Sequence, residues 1–360
     1  MKQMQKDFKP LCEATKNDAV ILIRQRFGES ALPILDKFMA APARSYNAPV
    51  GYIGYRDGKP VCLQAEMPRR LFMSDKECLG VVGGMTCKVL KGCPLSVLLE
   101  TMDLAAKIYP NHSIGFTNSC CRDATGINDA AEGIRGPESC TRYLWRAVRP
   151  LECAVYFARR KLLRMPVPSW SAFSTLGSAD FQLDVGAYRV QRSLDISPFF
   201  FDVLMSEYLK ANKGLVCSRS AAEIEWIFGE RLRNGTCTLL CAYKGATPVG
   251  YVIIDTNVAA RRWAIADLFA LRNDEEILRT LLSAVCTFLK RHTPAIMLET
   301  FGFPTWVQPL LKCYMPHVRR LNTNLFYWNS PDTDFKMKIR RIVDSRETWF
   351  FGPYDGDICM

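Results

Sequence analysis

The order of the predicted elements repeats once along the chain, and this repeat limits the fold more than any other feature of the sequence. The first copy runs strand, turn, strand, strand, helix, strand between residues 50 and 118, and the second copy has the same order between residues 236 and 303. Sliding one copy onto the other places Leu281 and Leu282 on Leu98 and Leu99, and each helix then follows its third strand. The repeat predicts two similar α/β domains.

The strands of the first copy are marked by β-rich runs. Two such runs at 50–67 flank Asp57-Gly58, a dipeptide that tolerates the positive φ values of a tight hairpin. A third run, at 77–89, leads into a helix with apolar residues at helical spacing, and a fourth strand follows at 112–118. The apolar helix positions are Leu95, Leu98, Leu99, Met102, Ala105 and Ala106. In the second copy, 236–255, 263–271, 275–290 and 295–303 correspond to these elements.

The length of the chain also favours two domains. A single core stops growing at roughly 250 to 300 residues, and this chain has 360 residues, of which 49% are hydrophobic. We expect an N-terminal domain at 1–160, a linker at 161–187 that contains a Pro- and Ser-bearing stretch, and a C-terminal domain at 188–330. The remaining residues, 331–360, are expected to form a tail that packs on the core.

The net charge of +11 predicts an anionic partner or a solvated basic face. The cations concentrate in one segment. They are Arg135, Arg142, Arg146, Arg149, Arg159, Arg160, Lys161 and Arg164. Nucleic acid, an acidic membrane surface and a phosphorylated cofactor all fit this charge, and the solvated face is the simplest interpretation.

Several other classes of protein are not supported by the sequence. There is no apolar run after the N-terminal lysines and no stretch of about 18 apolar residues, so we expect a soluble, cytoplasmic protein without a membrane span. The 15 cysteines are scattered through apolar segments, which favours reduced, buried thiols. With three histidines and no CxxC spacing, no metal site is expected.

A sheet with a helix after the third strand of a meander resembles the GNAT acyltransferase superfamily. The resemblance covers about 50–149 and 236–329, and the whole chain is similar to bacterial tandem-GNAT proteins, some of them associated with exopolysaccharide or envelope pathways. The strings GFTN (115–118) and WFFGPYDGDI (349–358) carry the likeness to that subgroup. The resemblance implies two GNAT-like domains, each a central mixed, mostly antiparallel twisted sheet flanked by helices.

The resemblance implies a donor site at the loop before the first-copy helix. The superfamily binds the pyrophosphate of acyl-CoA with a Q/R-x-x-G-x-G/A loop, where unpaired N–H groups and the helix dipole favour an anion. Here Gly92 fits the first glycine, but Val89 and Pro94 depart from the pattern. Lys88 and Lys91 add positive charge, and no carboxylate occurs in the helix before Glu100. A plain helix start with proline in the first helical position is the alternative interpretation.

The equivalent loop of the second copy has the opposite charge. Asp274, Glu275 and Glu276 stabilise a helix N-terminus by roughly 0.3 to 1 kcal/mol each and repel a pyrophosphate. Asn273 is predicted to be the N-cap residue. We therefore expect the first copy to hold the donor, and the second to complete the acceptor cleft or the core between the domains.

Acyl transfer from a thioester to an amine needs a polarised carbonyl, a base and an acid. The resemblance places the thioester beside 84–87. The predicted donor-binding residues are Met85, Thr86, Cys87, Lys88, Lys91, Gly92, Cys93, Leu95 and Ser96. Glu66 and Glu77 are the candidate bases, and solvated strand-end carboxylates are the alternative.

Two further residues of the first half are candidates for the reaction. Tyr143 is the candidate acid, with aromatic packing as the alternative, and Asn118 could orient the acceptor or pair with backbone. In the second copy, the buried carboxylate of Asp267 predicts an ion pair with an arginine such as Arg261, Arg262 or Arg272, and Glu299 is similar.

The leading hypothesis is an N-acyltransferase that uses acetyl-CoA or another acyl-CoA. Its acceptor would be an amine on a small molecule, sugar, lipid or peptide, and no DNA partner is expected. A second hypothesis is a non-catalytic acyl-CoA binder or scaffold, because Val89 and Pro94 depart from the loop pattern. A third hypothesis comes from the basic segment at 135–164 and from relatives that take aminoacyl groups from tRNA, and it predicts RNA affinity with a steep salt dependence.

Overall fold

The computed structural model describes residues 6–42, 49–74, 76–88, 93–108, 114–117, 129, 132–137, 142–162, 180–257, 261–320, 327–345 and 349–355. Lys91, Gly92 and Asn118, three of the predicted site residues, lie outside these ranges. For Met85, Thr86, Cys87 and Lys88 the description covers the backbone.

The described residues form two mixed sheets with helices packed against them. The strands are β1 (Lys6–Pro10), β2 (Gly51–Arg56), β3 (Lys59–Met73), β4 (Lys76–Lys88), β5 (Ile114–Thr117), β6 (Ile134–Arg135), β7 (Arg142–Ala147), β8 (Gln182–Val185), β9 (Tyr188–Ser193), β10 (Leu215–Cys217), β11 (Cys237–Lys244), β12 (Thr247–Asn257), β13 (Arg262–Ala270), β14 (Met297–Thr300), β15 (His317–Arg320), β16 (Tyr327–Asn329) and β17 (Trp349–Phe350).

The helices follow the same order along the chain. They are α1 (Lys16–Phe27), α2 (Leu32–Met39), α3 (Leu95–Ala106), α4 (Pro150–Phe157), α5 (Pro198–Ala211), α6 (Ala221–Ile224), α7 (Glu230–Arg233), α8 (Glu275–His292), α9 (Gln308–Tyr314) and α10 (Thr333–Asp344). Single π-helical turns follow α4 at Ala158–Leu162 and α6 at Glu225–Gly229.

The repeated plan predicted from the sequence is confirmed in both copies. The first hairpin, β2 and β3, turns at Asp57 and Gly58, whose φ angles of 50° and 76° are the positive values that this turn requires. In each copy the third strand runs antiparallel to the second and parallel to the fourth, with the helix as the crossover. The predicted fold class, two mixed and mostly antiparallel twisted sheets flanked by helices, is therefore confirmed.

The two sheets exchange strands. The first sheet has the order β1-β2-β3-β4-β5-β16-β6, and the second has the order β8-β9-β11-β12-β13-β14-β7-β15. Strand β7 of the first half thus lies between β14 and β15, and β16 of the second half lies between β5 and β6. The predicted boundaries at 160 and 188 therefore do not separate the sheets, because each sheet contains a strand from the other half of the chain.

The C-terminal segment at 349–355 joins the cores of the two sheets. Trp349 and Phe351 lie in the core of the first sheet, whereas Phe350 and Tyr354 lie in the core of the second. The alternation from Trp349 to Phe351 follows from the extended backbone, in which successive side chains point to opposite sides. Strand β10 adds to the connection, because it pairs with β3 in an antiparallel ladder and with β17 in a parallel one.

Part of the predicted basic segment supports the fold. The Arg149 guanidinium donates hydrogen bonds to the carbonyl oxygens of Thr293 and Ala295, both at 2.6 Å, and to that of Lys290 at 3.3 Å. These carbonyls follow or end α8, where a positive charge is favourable to the helix dipole. Arg149 therefore stabilises the C-terminal end of α8.

Candidate functional site

The described parallel ladder of β4 and β5 is shorter than β4 itself. Their parallel ladder pairs Gly80 with Ile114 and ends at Val82 and Phe116, whereas β4 continues along β3 to Lys88. The β3–β4 register shifts between Gln64 and Glu66, so the backbone of 84–85 bulges opposite a single residue of β3. A bulge leaves backbone groups unpaired. We call the edge of β4 beyond its ladder with β5 the β4–β5 opening.

Glu66 lies at this bulge. It pairs with Gly83, the first residue of β4 beyond its ladder with β5. Burial raises the pKa of Glu66 to about 7, and a hydrogen bond with the Gln64 side chain acts in the opposite direction. A carboxyl group with this pKa can accept a proton near neutral pH, which is what a general base requires.

Helix α3 begins beside the end of β4, and its N-cap residue is Pro94. Proline has no side-chain oxygen that can accept a hydrogen bond from the N–H groups of the first turn, so the N-cap residue itself supplies no side-chain cap. Ser96, in that first turn, is exposed. The alternative that placed proline in the first helical position is wrong by one residue, because the backbone of Pro94 is still extended.

The packing of α3 fixes this N-terminus against the first sheet. Val97, Thr101 and Ala105 form its buried face, and a methyl group on Gly54 would lie 2.5 Å from Thr101 Oγ1. Leu95 and Leu99, two of the apolar positions from which the helix was predicted, are 67% and 55% exposed. The helix therefore packs closely on β2 and leaves an apolar stripe accessible near its start.

The second copy begins its helix in a different way. The N-cap of α8 is Asp274, whose carboxylate accepts hydrogen bonds from the N–H groups of Glu276 at 2.8 Å and Ile277 at 3.2 Å. The prediction of Asn273 as the N-cap is wrong, because its φ of 55° is left-handed and its side chain accepts a hydrogen bond from Tyr208. The backbone N–H groups that could bind an anion at this helix start therefore already donate to Asp274.

The opening between β13 and β14 in the second copy is filled by protein. Their ladder ends at Ala264 and Glu299. Beyond it, the ring of Phe350 packs against the rings of Phe269 and Phe303, with centroid distances of 5.4 and 6.4 Å. The C-terminal segment thus occupies the position in the second copy that corresponds to the β4–β5 opening of the first.

A buried ionic network holds this segment in place. Arg219 donates to Asp267 from Nε at 3.1 Å and from Nη2 at 3.2 Å, and its Nη2 also donates to Asp355 at 2.8 Å. Tyr251 donates to the same Asp267 carboxylate at 2.5 Å. The predicted ion pair of Asp267 is present, but its partner is Arg219 rather than Arg261, Arg262 or Arg272.

The remaining candidate residues lie apart from Glu66. Glu77 is exposed at the start of β4, opposite Phe72, and a rise of ~3.3 Å per residue puts it roughly 20 Å from Gly83. Tyr143 lies on β7 in the second sheet. Its hydroxyl accepts a hydrogen bond from Arg262 at 2.6 Å, and burial and Glu299 raise the pKa of this phenol. The structure therefore brings neither residue to the bulge.

Comparisons with known proteins identify the fold. No family model matches the sequence, and no curated protein matches it. The solved structures that it resembles include a GCN5-related N-acetyltransferase from Kribbella flavida, with 12% identity, coverage of 91% of this chain and 71% of that chain, and a TM-score of 0.56. A conserved protein of unknown function from Enterococcus faecalis, described as a probable N-acyltransferase, has 11% identity, coverage of 92% and 74%, and a TM-score of 0.59.

A GCN5-related N-acetyltransferase from Anabaena variabilis is also similar, with 11% identity, coverage of 92% and 74%, and a TM-score of 0.54. The chain therefore has the GNAT fold, as the resemblance implied. Within the described residues, no helix is long and apolar enough to cross a membrane. The same residues contain no cluster of three or more His, Cys, Asp and Glu side chains suited to a metal ion.

Proposed function

We propose that the protein is an N-acyltransferase that takes its acyl group from acetyl-CoA or another acyl-CoA and binds this donor in the first copy. The observation that carries the proposal is the difference between the two helix starts. Asp274 caps α8 with its own carboxylate, whereas Pro94, the N-cap residue of α3, has no side chain that can accept these hydrogen bonds. An anionic donor fits the uncapped helix start, because its N–H groups and dipole favour negative charge.

The residues around the first opening fit an acyl-CoA. In this proposal, the pyrophosphate lies at the loop of Lys91 and Gly92 and at the first turn of α3, within reach of Ser96. The pantetheine and thioester then lie along 84–88, where the bulge offers backbone N–H groups. The exposed Leu95 and Leu99 are near enough to the helix start to contact an apolar part of the donor.

The proposed reaction uses Glu66 as the base, directly or through a water molecule. The amine nitrogen of the acceptor attacks the thioester carbonyl carbon, and a backbone N–H of β4 stabilises the oxyanion. Glu66 accepts the proton that the nitrogen loses, the C–S bond breaks, and the CoA thiolate leaves and takes up a proton from water. Glu77 and Tyr143 have no part in this mechanism, because one lies at the far end of β4 and the other in the second sheet.

Calorimetric titration of the full chain with acetyl-CoA and longer acyl-CoAs tests the proposal. Ser96→Glu and Gly92→Glu each add a carboxylate at the start of α3. Two unit charges at 4 Å near a protein surface repel by on the order of 4 kcal/mol, so we expect affinity to fall at least about tenfold. Ala246→Glu adds the same charge in the exposed turn of the second hairpin and should leave binding unchanged.

Each result separates the hypotheses. Equal loss in Ala246→Glu and Ser96→Glu would show that net charge alone governs binding. Binding without transfer to any amine would favour a non-catalytic acyl-CoA binder. If no thioester binds, the acyltransferase proposal fails, and RNA affinity that falls steeply with salt would then favour a tRNA-dependent activity.

A further inference from the structure

A separate cavity of about 420 Å³ lies on the second sheet. Its walls come from the exchanged strand β7, from β13, β14 and β15, and from the end of α4 with the π-helical turn that follows. None of its described lining residues belongs to a strand of the first sheet. The volume is within the range of about 300 to 1,000 Å³ that is typical of small-molecule sites.

The charge of this cavity is positive. Arg160, Arg262 and Arg319 line it from three different elements. Arg262 is bonded to Glu299 and to the Tyr143 hydroxyl, so one of the three charges is neutralised by protein. Arg160 donates to the neutral hydroxyl of Tyr156, and among the described residues neither Arg160 nor Arg319 has a carboxylate partner.

The other walls are aromatic or apolar, and ring contacts hold the aromatic ones in place. Trp145 stacks on His317 with ring centroids 4.4 Å apart and an interplanar angle of 29°, and its ring is 5.9 Å from that of Phe157. Tyr143 stacks on Phe301 at 6.3 Å. Rings fixed in this way offer flat apolar surface without a large loss of side-chain entropy on binding.

Arginine recognises planar anions well, because its rigid fork of N–H donors matches the two oxygens of a carboxylate or phosphate. Aromatic walls select a ligand with a flat apolar body. We propose that this cavity binds a small aromatic anion, with its ring against Trp145 and Phe157 and its carboxylate or phosphate held by Arg160 and Arg319. This site is additional to the donor site proposed for the first copy.

Calorimetric titration of the full chain with benzoate, phenyl phosphate and benzyl alcohol tests this inference. Benzyl alcohol has the ring without the charge. We expect one molecule of benzoate or of phenyl phosphate to bind, and the alcohol to bind about tenfold more weakly, because a hydrogen bond to a charged group contributes more than a neutral one. The preference between the two anions identifies the head group. This comparison uses the unmodified protein and so does not depend on any variant folding.

Variants then locate the site. Arg319→Gln and Arg160→Gln change exposed side chains, and each should weaken benzoate binding about tenfold. Arg189→Gln is the matched control, because Arg189 is also exposed in the second sheet and lies over an aromatic ring, that of Tyr243. Binding in Arg189→Gln should be unchanged, and Ser96→Glu, in the first copy, should also leave it unchanged.

Three results would overturn the inference. The first is the absence of benzoate and phenyl phosphate binding at millimolar concentration. The second is equal affinity for benzoate and benzyl alcohol, which would mean that the arginines do not recognise the anion. The third is the same loss of affinity in Arg189→Gln as in Arg319→Gln, which would mean that the anion responds to overall charge rather than to this cavity.

Discussion

The two copies share one plan and differ at the start of the crossover helix. In the second copy the carboxylate of Asp274 occupies the N–H groups of Glu276 and Ile277, and in the first copy Pro94 offers no such group. On the proposed function, the N-cap side chain decides whether the protein or a ligand satisfies the helix start. The two copies thus keep one fold while their helix starts differ in the groups that they offer to an anion.

The β4–β5 opening of the first copy and the corresponding position between β13 and β14 also differ between the copies. The C-terminal segment fills the opening of the second copy with Phe350, and Arg219 fixes that segment through Asp267 and Asp355. The opening of the first copy has Glu66, with its raised pKa, at its edge. We interpret the second copy as the structural support and the first as the chemical site.

The largest expected effect is on the rate of acyl transfer. Glu66→Gln removes the proposed base and should lower kcat by about 10²- to 10⁴-fold, while acetyl-CoA binding is kept. Steady-state kinetics with an amine acceptor measure this change. Glu77→Gln, at the exposed far end of β4, is the matched control and should keep full activity.

The same carboxyl group predicts the pH dependence of the rate. Because the pKa of Glu66 is about 7, the base is protonated at lower pH, and kcat/KM should fall about tenfold for each pH unit below 7. In Glu66→Gln this decline of kcat/KM below pH 7 should be absent. If the decline persists in Glu66→Gln, another group is responsible for the titration.

The next effect concerns the support role of the second copy. Arg219→Ala leaves the buried carboxylates of Asp267 and Asp355 without their cation, so the free energy of unfolding should fall by about 3 to 5 kcal/mol. Urea unfolding measures the loss. Arg189→Ala changes an exposed arginine of β9, in the sheet that contains Asp267, and should stay within about 0.5 kcal/mol of the wild type. A similar loss in both variants would contradict the proposed support by this network.

A smaller effect tests the N-cap directly. Asp274→Ala removes the acceptor for two N–H groups of α8 and should lower the free energy of unfolding by about 1 kcal/mol. Thermal or urea unfolding detects this change. Ser96→Ala, at the start of α3, should change stability by less, because Ser96 is not the N-cap residue of its helix. An equal cost at both positions would remove the contrast between the two helix starts.

The last effect is the contribution of Glu66 to the pH dependence of stability. Because the folded protein binds this proton more tightly than the unfolded chain does, folding stability decreases as pH rises from the ordinary value of 4.5 to about 7, and it is constant above that. Relative to the wild type, Glu66→Gln should therefore be more stable at pH 8 than at pH 5. Urea unfolding at both pH values measures the difference, and no change between them would contradict the burial of Glu66.

The sequence predicted what depends on local pattern. The hairpin at Asp57-Gly58, the third strands and the crossover helices lie where the β-rich runs and helical spacing put them. The N-cap was missed by one residue, because Asn273 and Asp274 are both good caps and only the left-handed backbone of Asn273 decides between them. Propensity alone does not contain that information.

The sequence did not predict what depends on distant pairing. The exchange of β7 and β16 places strands beside partners from the other half of the chain, and no local signal in either strand records it. The partner of Asp267 was missed for the same reason, because Arg219 reaches it through the fold. The sequence signal that could have identified this partner is the position of Arg219 between the apolar run of β10 and the start of α6.

Amide hydrogen exchange with and without acetyl-CoA tests the central claim most directly, because one experiment on the unmodified protein follows both copies. The account predicts slower exchange on binding in the peptides that cover 83–98, which contain the β4 bulge and the start of α3. It predicts no change in the peptides that cover 271–280, at the start of α8. Protection at 271–280 without protection at 83–98 would contradict the assignment of the donor to the first copy.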